Sequence, residues 1–142
     1  MIDIATRKGL FVLDDDLTVR HRSFVGDSVT ITHRIGDTIY AGLRLGHFGP
    51  KMHRSDDGGR TFEEIATPVL PEVTDASVNT APDVPWKVDM LWALESDASG
   101  RLYCGTIPGA LFESDDLGAS WTLNRALWER PERAGWFGGG YD

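Results

Sequence analysis

The sequence predicts an all-β chain built from repeated four-stranded antiparallel units, and three observations carry that expectation. Two stretches match each other at their turns and in their flanks. Apolar residues alternate with polar ones in short runs, and no stretch shows sustained helical spacing. Gly (16) and Pro (7) are plentiful but dispersed over the 142 residues, as in a protein of many short strands and tight turns.

The repeat comes first, because it sets the frame for every element. Tyr40-Ala41-Gly42 precedes Ser55-Asp56-Asp57-Gly58-Gly59-Arg60-Thr61-Phe62, and Tyr103-Cys104-Gly105 precedes Ser114-Asp115-Asp116-Leu117-Gly118-Ala119-Ser120-Trp121. The boxed turns are offset by 59 positions (Ser55 to Ser114) and the Tyr segments by 63 (Tyr40 to Tyr103). The first copy therefore holds four more residues before its box. Loops absorb insertions and strands do not, so 45–50 is a loop. A fainter third copy opens the chain. Thr6-Arg7-Lys8-Gly9-Leu10-Phe11 echoes Thr106 to Phe112 with one residue fewer, and Asp14-Asp15-Asp16 follows without the box's Gly and Trp.

Composition and alternation then predict the strands in order. Residues 2–6, 9–13 and 19–24 are the last strands of a partial N-terminal unit. Residues 29–34, 38–43, 51–54 and 61–65 form the first whole unit, and 88–95, 101–106, 111–113 and 120–124 the second. Gly36-Asp37 and Ser99-Gly100 supply the turns from first to second strand. One short helix fits within 125–133, limited by Pro131.

Four antiparallel strands per unit, repeated at roughly 60 residues, is the blade pattern of a propeller. The predicted fold is an incomplete β-propeller: two full four-stranded antiparallel blades plus a partial N-terminal blade. The chain divides into a partial blade (1–25), a blade with its box at 55–62 (29–65), a long loop (66–87), a blade with its box at 114–121 (88–124), and a linker into a missing blade (125–142).

Each box position has a physical task. Ser55 and Ser114, with Asp57 and Asp116, can accept hydrogen bonds from the N–H groups of their own turn. Gly59 and Gly118 supply a positive φ that a side chain resists. Thr61 and Ser120 add hydroxyls, and Phe62 and Trp121 start the outer strand and bury their rings between sheets. The acidic runs do not have the alternating ligands, sixth-position Gly and distal Glu of a calcium loop, so no metal is expected. His21, His33 and His53 fall inside strands at unrelated spacings, which argues against zinc. Gly138-Gly139-Gly140 follows no strand and opens no helix, so it is no phosphate loop. No cofactor is expected.

At these residues the sequence resembles the Asp-box (BNR) repeat proteins, the sialidase-like propellers, from the N-terminal half-unit to Trp121. The tail Trp128-Glu129-Arg130-Pro131-Glu132-Arg133, with 136–142, is similar to the run that leads into the next blade of bacterial glycosyl-hydrolase-like relatives. The resemblance implies that the boxes are structural and lie on the face away from an active site. It also implies, for a sialidase proper, an arginine triad, a Tyr–Glu nucleophile pair and an Asp acid/base. Arg34-Ile35-Gly36 departs from the family's Arg-Ile-Pro. Tyr40 and Tyr103 belong to second strands, and no Tyr–Glu pair is assigned. The catalytic residues are therefore unknown, and no complete catalytic set is expected in this chain.

Charge and composition narrow the partners. The net charge of −8 disfavours nucleic acid, which wants a basic stripe. The single Cys104 excludes an intrachain disulfide framework. Neither a signal segment nor an apolar run of membrane-helix length is seen, so the expectation is a soluble cytoplasmic chain with no membrane partner.

A ligand site is expected on the end opposite the boxes. That end collects Arg7 and Lys8, the loop with His47, the 66–87 connection stiffened by Pro68, Pro71, Pro82 and Pro85, and the tail. Trp86 and Trp136 are candidates for stacking on a sugar ring, and Arg7, Lys87 and Arg133 for holding an anion, with His47 and Asp89 beside them. Trp92 and Trp121 are expected to be core pegs.

Even a four-bladed ring needs about 240 residues at this repeat length. Truncation of a longer gene is favoured over a ring of several copies, and open sheet edges are a route to self-association. The expected role is a non-catalytic scaffold that binds a glycan or a protein. The alternative is the N-terminal part of a glycoside hydrolase, exo-sialidase-like, with its catalytic residues mostly in missing blades.

Overall fold

The computed structural model describes residues 1–72 and 86–136. The expectations that fall on Pro82, Pro85 and Gly138 to Asp142 lie outside those residues. The described chain is all-β, with strands β1 (Ile2–Thr6), β2 (Gly9–Leu13), β3 (Val19–Ser23), β4 (Ser28–Ile35), β5 (Thr38–Arg44), β6 (Pro50–Ser55), β7 (Glu63–Ile65), β8 (Met90–Ser96), β9 (Leu102–Ile107), β10 (Leu111–Ser114) and β11 (Thr122–Leu123). They form three antiparallel sheets, ordered β1-β2-β3, β4-β5-β6-β7 and β8-β9-β10-β11, none of which closes on itself. β1 packs against β4, and β4 against β8, so the second sheet lies between the other two.

That position explains the burial of each strand. β9 alternates buried Leu102, Cys104 and Thr106 with half-buried Tyr103, Gly105 and Ile107, the period-two pattern of a sheet covered on one side. β5 is buried from Ile39 through Leu43, because it has a sheet on either face. Leu10, Val12, Val29, Ile39, Ala41 and Leu43 form the core between the first two sheets. Ile31, Tyr40, Met52, Leu91, Leu102, Cys104 and Phe112 are the centre of the core joining the second and third. Fully burying one such aliphatic or aromatic side chain is worth about 1.5–3 kcal/mol.

The second and third sheets repeat in detail. Each has a register shift in its first strand, between Val29 and Ile31 and between Leu91 and Ala93. Each sets a glycine opposite the residue after the shift: Gly42 opposite Ile31, and Gly105 opposite Ala93. A Cβ on Gly42 would stand 2.6 Å from Ile31, so only glycine fits there.

The first sheet supplies counterparts of the second, third and fourth strands. Thr6 donates its hydroxyl to the Gly9 carbonyl (2.8 Å), as Thr106 donates to that of Pro108 (2.8 Å). Leu17 after the Asp run has φ +66°, matching Leu117 (φ +59°) and Gly58 (φ +76°) in the boxes. Phe24, just after β3, meets Phe62 edge-on at 4.9 Å. Ala66, just after β7, accepts from Trp121 Nε1 at 2.9 Å.

Two expectations are corrected. Phe62 and Trp121 stand just before β7 and β11 and do not start them. The turn's hydrogen bonds run through Thr61 and Ser120, so ladder pairing begins only beyond the aromatic. Trp92 is no core peg: it is 53% exposed, because the register shift turns Leu91 inward and leaves its neighbour outside. The short helix expected within 125–133 is a single turn, α1 (Arg125–Trp128), and a 3-10 turn follows at Pro131–Gly135. Asn124 caps α1, its Oδ1 accepting from Leu127 N at 3.0 Å. Pro131 then forces the break.

Candidate functional site

The antiparallel connections put the boxes at one end of the sheets and the β1–β2, β5–β6 and β9–β10 turns at the other. At the box end the chemistry is consumed internally. Ser55 Oγ accepts from Gly59 N (2.9 Å) and donates to Asp57 Oδ1 (2.8 Å). Asp57 in turn accepts from Arg60 N (2.9 Å), Thr61 N (3.0 Å) and Thr61 Oγ1 (2.7 Å). The second box repeats this: Ser114 Oγ accepts from Gly118 N (2.9 Å), and Asp116 from Ser120 N (2.8 Å) and Ser120 Oγ (2.6 Å). Gly59 (φ +94°) and Gly118 (φ +86°) hold the turn, and a Cβ on Gly118 would press to 2.7 Å from Ile65 of the neighbouring sheet.

These donors hold both carboxylates ionised. The Thr61 hydroxyl and amide, with Ser55, keep Asp57 far below the ordinary carboxylate range. Ser120, then Ser114, lower Asp116 to about 2. A group depressed in the folded state contributes stability that is present above its unfolded value and lost as pH falls through the folded one. Thermal melts followed by circular dichroism should therefore show stability declining from about pH 4 toward pH 2. Asp116→Asn should flatten part of that decline, and an unchanged profile would contradict the assignment.

The opposite end holds a cleft of about 270 Å³. Phe48 from the β5–β6 connection, Lys51 at the start of β6, Leu70 from the segment after β7, and Trp86 and Lys87 ahead of β8 line it. A 3-10 turn at Gly46–Phe48, closed by Gly49 (φ +74°), carries His47 and leaves Phe48 79% exposed. Behind Trp86 stands Trp128, edge-on at 5.2 Å and 3% exposed. Trp86 Nε1 donates to the Pro71 carbonyl, which ties the two flanks of the connection together.

The expected site residues divide accordingly. Trp86 and Lys87 line the cleft. Asp89 is exposed and accepts from Arg44 Nη2 at 2.7 Å. Since Arg44 is opposite Pro50 in β5–β6, this ion pair lies beside the cleft. His47 is exposed on the 3-10 turn, its ring 5.8 Å from Phe48. Arg7 is exposed on the β1–β2 turn, and Trp136, 53% exposed, follows the last 3-10 turn; neither lines the cleft.

Arg133 is a buttress. Its guanidinium carbon lies 3.6 Å above the Trp128 ring, and it donates to the carbonyls of Trp128 (3.0 Å) and Gly109 (2.7 Å). It thereby fastens the tail to the β9–β10 turn. Phe48, Lys51 and Leu70 fall within the segments 44–51 and 66–87 that the sequence places at the loop end, but it does not single them out as lining residues. The four-residue insertion before the first box was the available signal for the first two.

Among the described residues, no group of three or more His, Cys, Asp or Glu side chains is placed to hold a metal. No helix among them is long and apolar enough to cross a membrane. Cys104 is fully buried, and burial pushes its thiol up to about 12, which leaves it unreactive at neutral pH. A scan against protein-family models and a search of curated proteins find no match to this chain.

Proposed function

We propose that the chain is a segment of a sialidase-like Asp-box propeller that binds an anionic glycan at its loop end and performs no chemistry by itself. Three stacked antiparallel sheets, two with the same boxed turn and the same register shift, support the propeller part.

The observation that carries the binding part is the cleft. It offers the exposed ring of Phe48 and the half-buried ring of Trp86, on which a sugar can stack, and two lysines, Lys51 and Lys87, at its rim. Lys51 is shared with Glu64 at 2.6 Å, so Lys87 is the better ligand for a carboxylate or sulfate. The boxes cannot play this part, because their oxygens are taken up by their own turns.

Titration with a sialylated oligosaccharide, followed by tryptophan fluorescence and by amide NMR shifts, tests the proposal. Saturable binding should perturb Trp86, and Lys87→Ala should weaken it about tenfold, near 1.4 kcal/mol. Equal affinity for the neutral glycan would remove the anionic part of the proposal. No release of sialic acid from a fluorogenic sialoside is expected. Measurable release would favour the other reading, the N-terminal part of a glycoside hydrolase.

A further inference from the structure

The two outer faces of the three-sheet stack differ, and each matches a face that is covered inside the molecule. The strand registers align the sheets: Ile4 lies opposite Phe11 in the first, and Cys104 opposite Phe112 in the third. On that alignment Ile2, Ile4 and Phe11 correspond to Leu102, Cys104 and Phe112. The latter three are 0%, 0% and 1% exposed, in the core joining the third sheet to the second. Ile2 and Ile4 are 47% and 40% exposed on the free side of the first sheet.

The other end carries the complementary set. Tyr103 and Gly105 of β9 correspond to Tyr40 and Gly42 of β5. Tyr40 is fully buried, and its hydroxyl donates to the Leu117 carbonyl in the neighbouring sheet's box at 3.2 Å. A Cβ on Gly42 would come within 3.1 Å of Leu91 of that neighbour. Tyr103 and Gly105 are only half-buried, and a Cβ on Gly105 would meet Ala93 alone, at an ordinary 3.6 Å. Leu17, the counterpart of Leu117 with the same positive φ, is 64% exposed beyond the opposite face.

We infer that the outer face of the third sheet receives the first sheet of a second copy of this chain, repeating the junction already made twice within one copy. Ile2, Ile4 and Phe11 of one copy then cover Tyr103 and Gly105 of the other, and the Tyr103 hydroxyl, which donates to Asp97 Oδ2 at 3.1 Å within one copy, exchanges that acceptor for the Leu17 carbonyl across the contact. Burying aliphatic side chains that are now about half exposed drives the association. The contact is head-to-tail, so it leaves a further face free on each copy unless the assembly closes. Two copies bring twice the three sheets of one, within the range of closed radial assemblies, so a discrete dimer is expected. The inference rests on the stacking of the sheets and is independent of any ligand.

Sedimentation velocity of the full chain across a concentration series tests it. A species of twice the 15.7 kDa monomer mass is expected to grow with concentration. Ile4→Asp and Gly105→Leu should each weaken association at least tenfold, with circular dichroism matching the parent chain. Mixing those two variants should restore a one-to-one complex, because each retains the face that the other has lost. A chain that stays monomeric throughout overturns the inference. So do folded variants that associate like the parent, or a mixture that recovers nothing.

Discussion

Phe112→Ala is expected to cost about 3–5 kcal/mol, since removing a buried phenyl ring loses its transfer free energy and leaves a cavity. The ring is 1% exposed in β10, between the second and third sheets, in one core with Met52, Leu91 and Leu102. Those neighbours come from three different strands held in two sheets, so they cannot collapse into the space without shifting backbone. Domains of this size have about 5–15 kcal/mol in total, so the variant should unfold at much lower urea. The slope of the transition should stay as in the parent chain, and a midpoint moved by under 1 kcal/mol would show that the sheets are not joined as described. Phe11, its half-buried counterpart in the first sheet, should cost markedly less when truncated, because its outer face is not covered.

Trp128→Ala should have an effect of similar size, about 3–5 kcal/mol, and should also dismantle the cleft. Trp128 is 3% exposed and is held from both sides, by Trp86 edge-on and by Arg133 stacked on its face. Without it Trp86 has no wall to stand against, and the Arg133 guanidinium loses a cation–π contact worth roughly 0.5–2 kcal/mol. Thermal unfolding measures the stability loss. The binding assay with a charged glycan measures the second effect, and Arg133→Lys separates the two. That variant keeps the charge but loses the planar fork that reaches two carbonyls, and it should weaken packing while leaving Lys87 in place. Glycan affinity unchanged by Trp128→Ala would exclude the cleft as the binding site.

Much of the strand layout was legible because one face of each sheet is buried, and burial imposes period two on the sequence. The alternation over 101–106 and the apolar run over 38–43 lie within one residue of β9 and β5. The outer strands were read too long. Thr61 and Ser120 have strand-like composition but give their hydroxyls and amides to the box aspartates, so β7 and β11 are three and two residues. Trp92 was misread for a related reason. A register shift between Leu91 and Ala93 reverses which side chain points inward, and no periodicity reveals a bulge. At the loop end, Trp86 and Lys87 were visible as candidates because a Trp and a Lys sit at the mouth of a strand. The role of Arg133 was not visible, since a stacked, carbonyl-bonded arginine and a ligand-binding one have the same local sequence.

The sequence by itself determined the all-β class, the boxed turns and their internal hydrogen bonds, because those depend on residues within eight positions of one another. Ser55 with Asp57 and Gly59, and Ser114 with Asp116 and Gly118, satisfy their own turns wherever the chain is placed. Only the tertiary structure decided which faces are covered. The same Tyr-x-Gly segment is fully buried at Tyr40 and half-exposed at Tyr103, because a neighbouring sheet covers the first and none of the described sheets covers the second. Packing between sheets is a property of residues far apart in the chain, such as Tyr40 and Leu117, 77 positions apart, and local pattern carries no information about it.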